Sequence, residues 1–311
     1  MEAIEVENPQ LFNQAWTRHS SHFQIAALTV AVTGQRFADV ALSASLQAFE
    51  ATTPLPDITL QVEWTQVLLP LPARMLFESG AVWRLYENNS QFVFDFSSNR
   101  VARDPYKRLV VDENFQAGRL QMSASCLPRG SKRVVPLEYP LDELLIMHRL
   151  TREKGIELHA TAIVRRHGDA NLFVGHSGAG KSTTTRLWTA VEEVEVLSDD
   201  RVIVRRDPCG PTLMRMYGTP WHGEAMYASP HSAPLTRIFI LEHGVGNVIT
   251  PLTPSQAVAA LFARSFVPFH RHEYVDSALV FLEELANAVP VYRYAFEPDQ
   301  RAVEKIRNFH D

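Results

Sequence analysis

Residues 175–182 read GHSGAGKS, and this octapeptide indicates the fold of the second half of the chain. It fits the pattern G-x-x-x-x-G-K-[ST], in which glycines let successive backbone amides turn inward around an anion. The apolar run NLFV precedes it at 171–174, and a helical pattern follows from Lys181 to about residue 190. A strand, a glycine loop and a helix in this order predict a phosphate-binding loop in a layered α/β domain.

Each residue type in this loop has a chemical reason. Backbone amides of the loop and of the helix N-terminus carry partial positive charge, which suits phosphate oxygens. Lys181 adds a full charge for the β- and γ-phosphates, and the Ser182 hydroxyl is a ligand for Mg²⁺. We therefore predict ATP with Mg²⁺ as the ligand, and the alternative is a glycine-rich turn that binds nothing. The predicted nucleotide-binding residues are Gly175, Ser177, Gly178, Ala179, Gly180, Lys181, Ser182 and Thr183.

Two adjacent carboxylates, Asp199 and Asp200, follow the apolar stretch 194–197. The interval after Ser182 accommodates one short helix and a return strand, which we expect beside the strand that leads into the loop. Ligands of open α/β sheets bind at the carboxyl ends of parallel strands. One carboxylate there can hold Mg²⁺ while the other accepts the proton of an attacking hydroxyl. The alternative is a capped turn at the end of a strand.

Other polar residues are candidates for the same edge. His159, in the strand expected before the loop, either contacts a phosphate, pairs with Asp199, or is an ordinary strand-edge histidine. Residues 218–224, GTPWHGE, combine turn residues with an aromatic ring, an imidazole and a carboxylate. This composition favours a loop that shapes an acceptor pocket over a packed structural turn. Three arginines either face a transferring phosphate or lie on a solvated strand edge: Arg201, Arg205 and Arg206.

The first 130 residues have a different pattern, with strands but no glycine loop. The stretch 58–64 alternates apolar and polar residues, which is typical of a half-buried strand. The sequence NNS at 88–90 predicts a hairpin turn between strands at 82–86 and 92–96. The apolar, β-branched run at 23–32 indicates further β structure, and we also predict a helix at 41–49 and a linker at 128–133. The prediction is a β-rich α+β N-terminal domain at 1–130, of unknown role, and a P-loop kinase-like α/β domain at 131–311.

Composition limits the partners that we expect. The net charge of −5 gives no broad attraction to nucleic acid or to an anionic membrane. No apolar stretch approaches the roughly 20 residues of a spanning helix, and the start MEAIEVE lacks the basic and apolar features of a signal peptide. The two cysteines, Cys126 and Cys209, favour free thiols in a reducing compartment. We therefore expect a cytoplasmic protein that binds neither nucleic acid nor membrane.

Three motifs, taken together, resemble the HPr serine kinase/phosphorylase family and its broader set of HPr-kinase-related proteins. They are Leu158 with His159, the loop 175–182, and LSDDRV at 197–202. The resemblance covers about residues 140–305 and implies a P-loop fold similar to the nucleotide core of phosphoenolpyruvate carboxykinases. It implies that Asp199 is the general base toward serine, that Asp200 and Ser182 lie near Mg²⁺, and that His159 lies near the phosphates.

The chain also departs from this family. Thr183 stands where HPr kinases have glutamate after the loop serine, and residues 218–224 occupy the region of a glycine- and asparagine-containing signature. The resemblance therefore does not extend to HPr as the acceptor, to phosphorylase activity or to a hexamer. Some relatives in the broader set are kinases associated with peptide natural-product clusters, which favours a peptide or protein serine as acceptor.

The sequence thus predicts an ATP-dependent kinase that transfers the γ-phosphate to a hydroxyl, a serine of a protein or peptide. The predicted catalytic residues are Asp199, His159 and Lys181, and the predicted Mg²⁺ ligands are Ser182 and Asp200. One alternative is a kinase of a small metabolite such as free serine, or a carboxykinase-like enzyme. Another is a non-catalytic nucleotide-binding regulatory module. The identity of the acceptor and the formation of a homo-oligomer stay open.

Overall fold

The computed structural model describes residues 20–34, 39–98, 102–126, 133–166, 169–207 and 210–310. Within these ranges the chain is mixed α/β, with two large mixed sheets and five α-helices. The described parts of one compact unit lie within Met1–Phe23, Thr29–Ser43 and Glu50–Glu138, and those of the other within Gln24–Leu28, Ala44–Phe49 and Tyr139–Asp311. No helix in the described ranges has the length and apolarity needed to cross a membrane.

An eight-stranded sheet of order β1-β2-β4-β9-β8-β7-β6-β5 forms the first unit. Its strands are β1 (Ser20–Ile25), β2 (Leu28–Gly34), β4 (Ile58–Thr65), β5 (Arg74–Glu78), β6 (Trp83–Asn88), β7 (Gln91–Ser98), β8 (Ala102–Asp112) and β9 (Ala117–Ser123). A two-stranded ribbon pairs β3 (Asp39–Val40) with β10 (Arg133–Val134). Ile58, Leu60 and Val62 of β4 are buried, as the alternation of this strand predicts.

Three local predictions for the first half have different outcomes. The hairpin is confirmed, because β6 and β7 pair antiparallel around Asn89 and Ser90. The run 23–32 is β structure but divides between β1 and β2, because Ala26 and Ala27 both have positive φ and the chain turns back there. The helix at 41–49 is also wrong, since only a turn and a 3-10 segment at Gln47–Phe49 form. So short a segment gains too few helical hydrogen bonds to offset nucleation.

Ten strands form the sheet of the second unit, whose main order is β16-β15-β14-β11-β12-β17-β20-β18, with β13 and β19 also paired to β11. The strands are β11 (Gly155–Arg165), β12 (Ala170–Val174), β13 (Val194–Ser198), β14 (Arg201–Asp207), β15 (Gly210–Tyr217), β16 (Ser232–Pro234), β17 (Arg237–His243), β18 (Val248–Pro251), β19 (Ser265–Phe266) and β20 (Val291–Phe296). The helices are α1 (Leu141–Leu150), α2 (Lys181–Val191), α3 (Pro254–Phe262), α4 (His272–Ala288) and α5 (Gln300–Arg307).

The long strand β11 organises this sheet. It pairs antiparallel with β12 on one side and with β13 and β14 on the other. The return strand predicted beside β12 is therefore one position further away, because β12 lies between β11 and β17. Since β12 and β13 are both antiparallel to β11, they run in the same direction. Their carboxyl ends still reach one edge, which brings the glycine loop and the paired aspartates together.

Helices cover both faces of the sheet and support this edge. Leu172 of β12 packs in a core with Phe281 and Leu285 of α4. Its neighbour Phe173 points to the other face and packs in a second core with Trp188 of α2. Burial on both faces gives continuous apolar strands, as in parallel layers of α/β proteins. The loop and the aspartates therefore extend from rigid strand ends.

The unit boundary predicted at residue 130 falls in 127–132, outside the described residues. The long C-terminal stretch of the second unit begins at Tyr139. Cys126 is a free thiol, and Cys209 is outside the described residues. Helix α3 ends at Phe262, and Ser265 and Phe266 after it pair with β11.

Candidate functional site

Residues 175–182 form a tight loop between β12 and α2. Ala179 donates its N–H to the carbonyl of His176 at 3.1 Å, which closes a turn. Gly178 and Gly180 have φ of 80° and 101°, values that favour glycine. A Cβ at Gly180 would lie 2.4 Å from Cζ of Phe296. Sterics therefore require glycine at this position, immediately before α2.

Several backbone amides of the loop have no acceptor among the described residues. The first amide of α2 with an intrahelical partner is Thr184, which donates to Gly180 at 2.8 Å. The amides of Ser182 and Thr183 precede it, so the helix gives them no acceptor. In the described ranges, the amides of Gly178 and Gly180 also donate no hydrogen bond. Unused N–H groups thus cluster at the positive end of the α2 dipole, an arrangement that favours an anion.

Lys181 lies over this loop. Its Nζ donates to the carbonyls of Gly175 and His176, both at 3.1 Å, and the residue is only 7% exposed. Burial lowers the pKa of Lys181 to about 8, although nearby Asp200 acts in the opposite direction. The remaining predicted loop residues are partly or fully exposed: Ser177, Gly178, Ala179, Gly180, Ser182 and Thr183.

Asp199 holds a segment other than the glycine loop. It is 1% exposed, and its Oδ1 and Oδ2 accept the N–H groups of Gly223 and Ala225 at 2.9 and 2.8 Å. A Cβ at Gly223 would lie 3.1 Å from Asp199 Oδ2, so the two segments are in close contact. Each carboxylate oxygen of Asp199 is therefore engaged in fixing the backbone of residues 223–225.

Asp200 is half-buried and contacts an imidazole and a guanidinium instead. Its Oδ1 lies 2.8 Å from Nε2 of His159, and its Oδ2 accepts from the Arg201 guanidinium. Burial alone raises the pKa of Asp200, but the His159 hydrogen bond and the charges of Arg201 and Lys181 outweigh it. The pKa of this carboxyl is therefore below its ordinary value. The suggested pairing of His159 with Asp199 is wrong, since its partner is Asp200.

An acidic cluster behind Asp200 was not predicted from the sequence. The Arg201 Nε lies 2.9 Å from Glu143 and 3.5 Å from Glu157, and the guanidinium stacks on Phe266 at 4.0 Å. Burial and the nearby Glu143 carboxylate raise the pKa of Glu157 well above its ordinary value. The neutral form of Glu157 is therefore favoured more than that of an ordinary glutamate. A signal existed, because Glu157 interrupts an apolar strand two residues before His159, on the same face.

Residues 218–225 are anchored at alternate positions. Thr219 Oγ1 donates to the carbonyl of Arg201 at 2.7 Å, and Trp221 is buried. Trp221 lies near the buried carboxyl of Asp142; burial raises the pKa of Asp142 to about 6, and the indole acts in the opposite direction. Between these anchors His222 and Glu224 are exposed. The segment is therefore a fixed support with polar side chains free to contact a ligand.

The other arginines considered from the sequence bind elsewhere. Arg205 donates to the carbonyl of Ala26 at 2.6 Å, and Arg206 pairs with Glu284. Only Arg201 of the three belongs to the cluster around Asp200. The charge of Arg201 is therefore neutralised by carboxylates, at the same edge of the sheet as the glycine loop.

Ser182 and Asp200 were predicted to lie near Mg²⁺. In the residues described, no cluster of three or more His, Cys, Asp or Glu has metal-binding geometry. Mg²⁺ that accompanies a nucleotide takes most of its ligands from phosphates and water and needs only one or two protein oxygens. The Ser182 hydroxyl, at the start of α2, fits that requirement. Both oxygens of Asp200 already contact His159 and Arg201.

The start of the glycine loop and the paired aspartates lie a short distance apart. Ala160 of β11 pairs with Val174 on one side, and its N–H donates to the carbonyl of Asp200 on the other at 3.0 Å. The loop start and Asp200 are thus two strand spacings apart, about 10 Å.

The chain matches no protein-family model, and it matches none of the curated proteins with which it was compared.

Proposed function

We propose that this protein is an ATP-dependent kinase that transfers the γ-phosphate of ATP to the hydroxyl of a serine in a protein or peptide. One observation carries the proposal. A glycine loop with unused donors and a buried lysine shares a sheet edge with an ionised aspartate held by His159 and Arg201. A separation of about 10 Å accommodates two phosphates and an acceptor hydroxyl between them.

The loop half binds the nucleotide. The amides of Gly178, Gly180, Ser182 and Thr183 donate to phosphate oxygens. The Lys181 ammonium exchanges its two carbonyl acceptors for the β- and γ-phosphates. The Ser182 hydroxyl holds Mg²⁺, which neutralises charge on those phosphates when bound. Contact with phosphate favours the charged form of Lys181 and so raises its pKa above the value in the free protein.

The acidic half orients the acceptor. Asp200 stays ionised at neutral pH, so it accepts the hydroxyl proton as the new O–P bond forms and the bond to ADP breaks. His159 and Arg201 fix the direction of its two oxygens. Asp199 acts indirectly, because it fixes residues 223–225 next to the acceptor. We thus assign the proton-accepting role to Asp200, whereas the sequence had suggested Asp199 for this role.

The test combines nucleotide binding with phosphate transfer. Wild-type protein is titrated with Mg·ATP and then given γ-labelled ATP with a degenerate peptide library that contains serine, or a matched library in which alanine replaces it. We expect ATP binding, and label in the serine library alone. Lys181→Ala should abolish both signals, whereas Lys305→Ala, at the last turn of α5, is the matched control.

Other outcomes separate the alternatives. Transfer to free serine with no label in peptides would contradict a peptide acceptor and support a metabolite kinase. ATP binding with no transfer to either acceptor, nor to proteins from an extract, would support a regulatory binding module. No ATP binding by the folded wild-type protein would refute the proposal as a whole.

A further inference from the structure

The end of strand β17 contacts the glycine loop from the side opposite to β11. Strand β12 lies between β11 and β17, and the last residue of β17 is His243. Its Nε2 lies 2.8 Å from the carbonyl oxygen of Gly178. A carbonyl oxygen can only accept a hydrogen bond, so Nε2 carries the proton and donates it. A side chain from a neighbouring strand thus binds the middle of the loop.

Both polar groups of the peptide between Gly178 and Ala179 are engaged by the protein. The carbonyl accepts from His243, and the N–H of Ala179 donates to the carbonyl of His176 at 3.1 Å. Since the C=O and N–H of a trans peptide point in opposite directions, these two contacts fix the orientation of the peptide plane. Gly178, with φ of 80°, has the conformation of a glycine at the third position of a type II turn. His243 therefore ties this turn to β17.

Phe296 supports the next part of the loop. It is the partner of His243 in the pairing of β17 with β20, and the two rings stack with centroids 6.4 Å apart. The Phe296 ring is buried and occupies the space that a Cβ at Gly180 would need. Two adjacent strand ends thus hold Gly178 and Gly180, whose amides have no acceptor in the described ranges.

The turn benefits from this support because glycines make its backbone free to move. Glycine populates positive and negative φ about equally, so Gly178 and Gly180 can leave the anion-binding conformation at little cost. A loop that becomes ordered only during binding loses affinity, whereas a loop that is ordered in advance does not. The hydrogen bond from His243 orders residues 176–179 before a ligand arrives.

We propose that His243 is a positioning residue of the nucleotide site, which holds residues 176–179 in the conformation whose available amides bind phosphate. This inference rests on the proposed ATP-binding function. His243 contacts the loop backbone and not one particular phosphate, so its contribution should be equal for ATP and ADP. It takes no part in bond making at the γ-phosphate, and kcat should therefore stay nearly unchanged when it is replaced.

The experiment compares the wild-type protein with His243→Leu, which removes the donor, and His243→Gln, whose amide nitrogen can replace Nε2. Calorimetry measures affinities for Mg·ATP and Mg·ADP, and NMR measures amide exchange of Ala179 in the free protein. We expect His243→Leu to weaken both nucleotides about 3- to 10-fold, the change for one hydrogen bond, and to accelerate Ala179 exchange. His243→Gln should keep both affinities within about twofold of wild type. The matched control is His231→Leu, which removes an exposed imidazole bonded to Glu195.

Unchanged affinity or unchanged Ala179 exchange in His243→Leu, or an equal loss of affinity in His243→Gln, would overturn this inference while the kinase proposal stands. Weaker binding of ATP without weaker binding of ADP would also overturn it, because that result would indicate a contact with the γ-phosphate itself. Failure of the folded wild-type protein to bind either nucleotide would overturn both proposals. His243 is exposed, so His243→Leu should fold, which circular dichroism verifies; if it does not, His243→Ala takes its place in the same comparison.

Discussion

The glycine loop and the acidic strand end share one edge of a sheet but differ in how much of their hydrogen-bonding capacity is already used. The loop leaves the amides of Gly178 and Gly180 without acceptors in the described ranges. In contrast, both oxygens of Asp199 and both of Asp200 are engaged by protein groups. The loop is thus incomplete without a ligand, whereas the acidic end is fixed in advance. Changes in the loop should therefore affect nucleotide binding, and changes in the acidic end should affect transfer.

The largest effect is expected for Asp200→Asn. An amide cannot accept the hydroxyl proton, so phosphate transfer should fall about 1,000-fold, within the usual range for loss of a general base. The affinity for Mg·ATP should change less than about threefold. Transfer is measured with the labelled serine library, and Glu195→Gln, an exposed carboxylate of β13, is the control. Transfer at the wild-type rate would rule out Asp200 as the proton acceptor.

Asp199→Asn should have a smaller and different effect. The amide group keeps one acceptor oxygen, so one of the N–H groups of Gly223 and Ala225 loses its partner. We expect about 1–3 kcal/mol less stability and an increase of about tenfold in KM for the peptide, with kcat and ATP affinity nearly unchanged. Chemical denaturation and steady-state kinetics measure these quantities. A fall in kcat as large as that of Asp200→Asn would instead identify Asp199 as the base.

The pH dependence of binding tests the loop. The pKa of Lys181 is lowered to about 8 in the free protein, and the nucleotide binds its charged form. ATP affinity should therefore fall above pH 8, by about tenfold at pH 9. Unfolded chains keep this proton up to the ordinary pKa of 10.5, so the same group makes stability rise with pH between about 8 and 10.5. Flat affinity from pH 7 to 9 would contradict a cationic role for Lys181.

The smallest effect is expected for Glu157→Gln. Burial raises the pKa of Glu157 well above its ordinary value and so favours the neutral form, which an amide resembles; the substitution should therefore change the free energy of unfolding by less than about 1 kcal/mol. The raised pKa means that the folded state keeps a proton that the unfolded chain loses above about pH 4.5, so this group makes stability fall as pH rises from there. The variant should lack that fall in denaturation curves from pH 4 to 7. A loss of several kcal/mol at pH 7 would show that Glu157 is ionised.

The local sequence was sufficient to predict the glycine loop but not the arrangement of the strands and side chains around it. The glycines, Lys181 and the following helix could be predicted because their geometry depends on adjacent residues. The strand order β12, β11, β13 could not be predicted. A short helix after β12 allows the next strand to lie either directly beside β12 or on the far side of β11. The different surroundings of Asp199 and Asp200 depend on Gly223, Ala225, His159 and Arg201, and their pairing is set by tertiary structure.

Strand β11 also determines how this edge of the sheet responds to substitutions, insertions and deletions. Ala160 hydrogen bonds to Asp200, and the peptide groups of the preceding residue, His159, contact both Gly175 and Arg264. Three segments distant in sequence are therefore held at separations set by two consecutive peptide units of fixed covalent dimensions. Substitutions in the surrounding cores can lower stability while these separations persist. Insertion or deletion of one residue near 159–160 would instead shift every one of them at once.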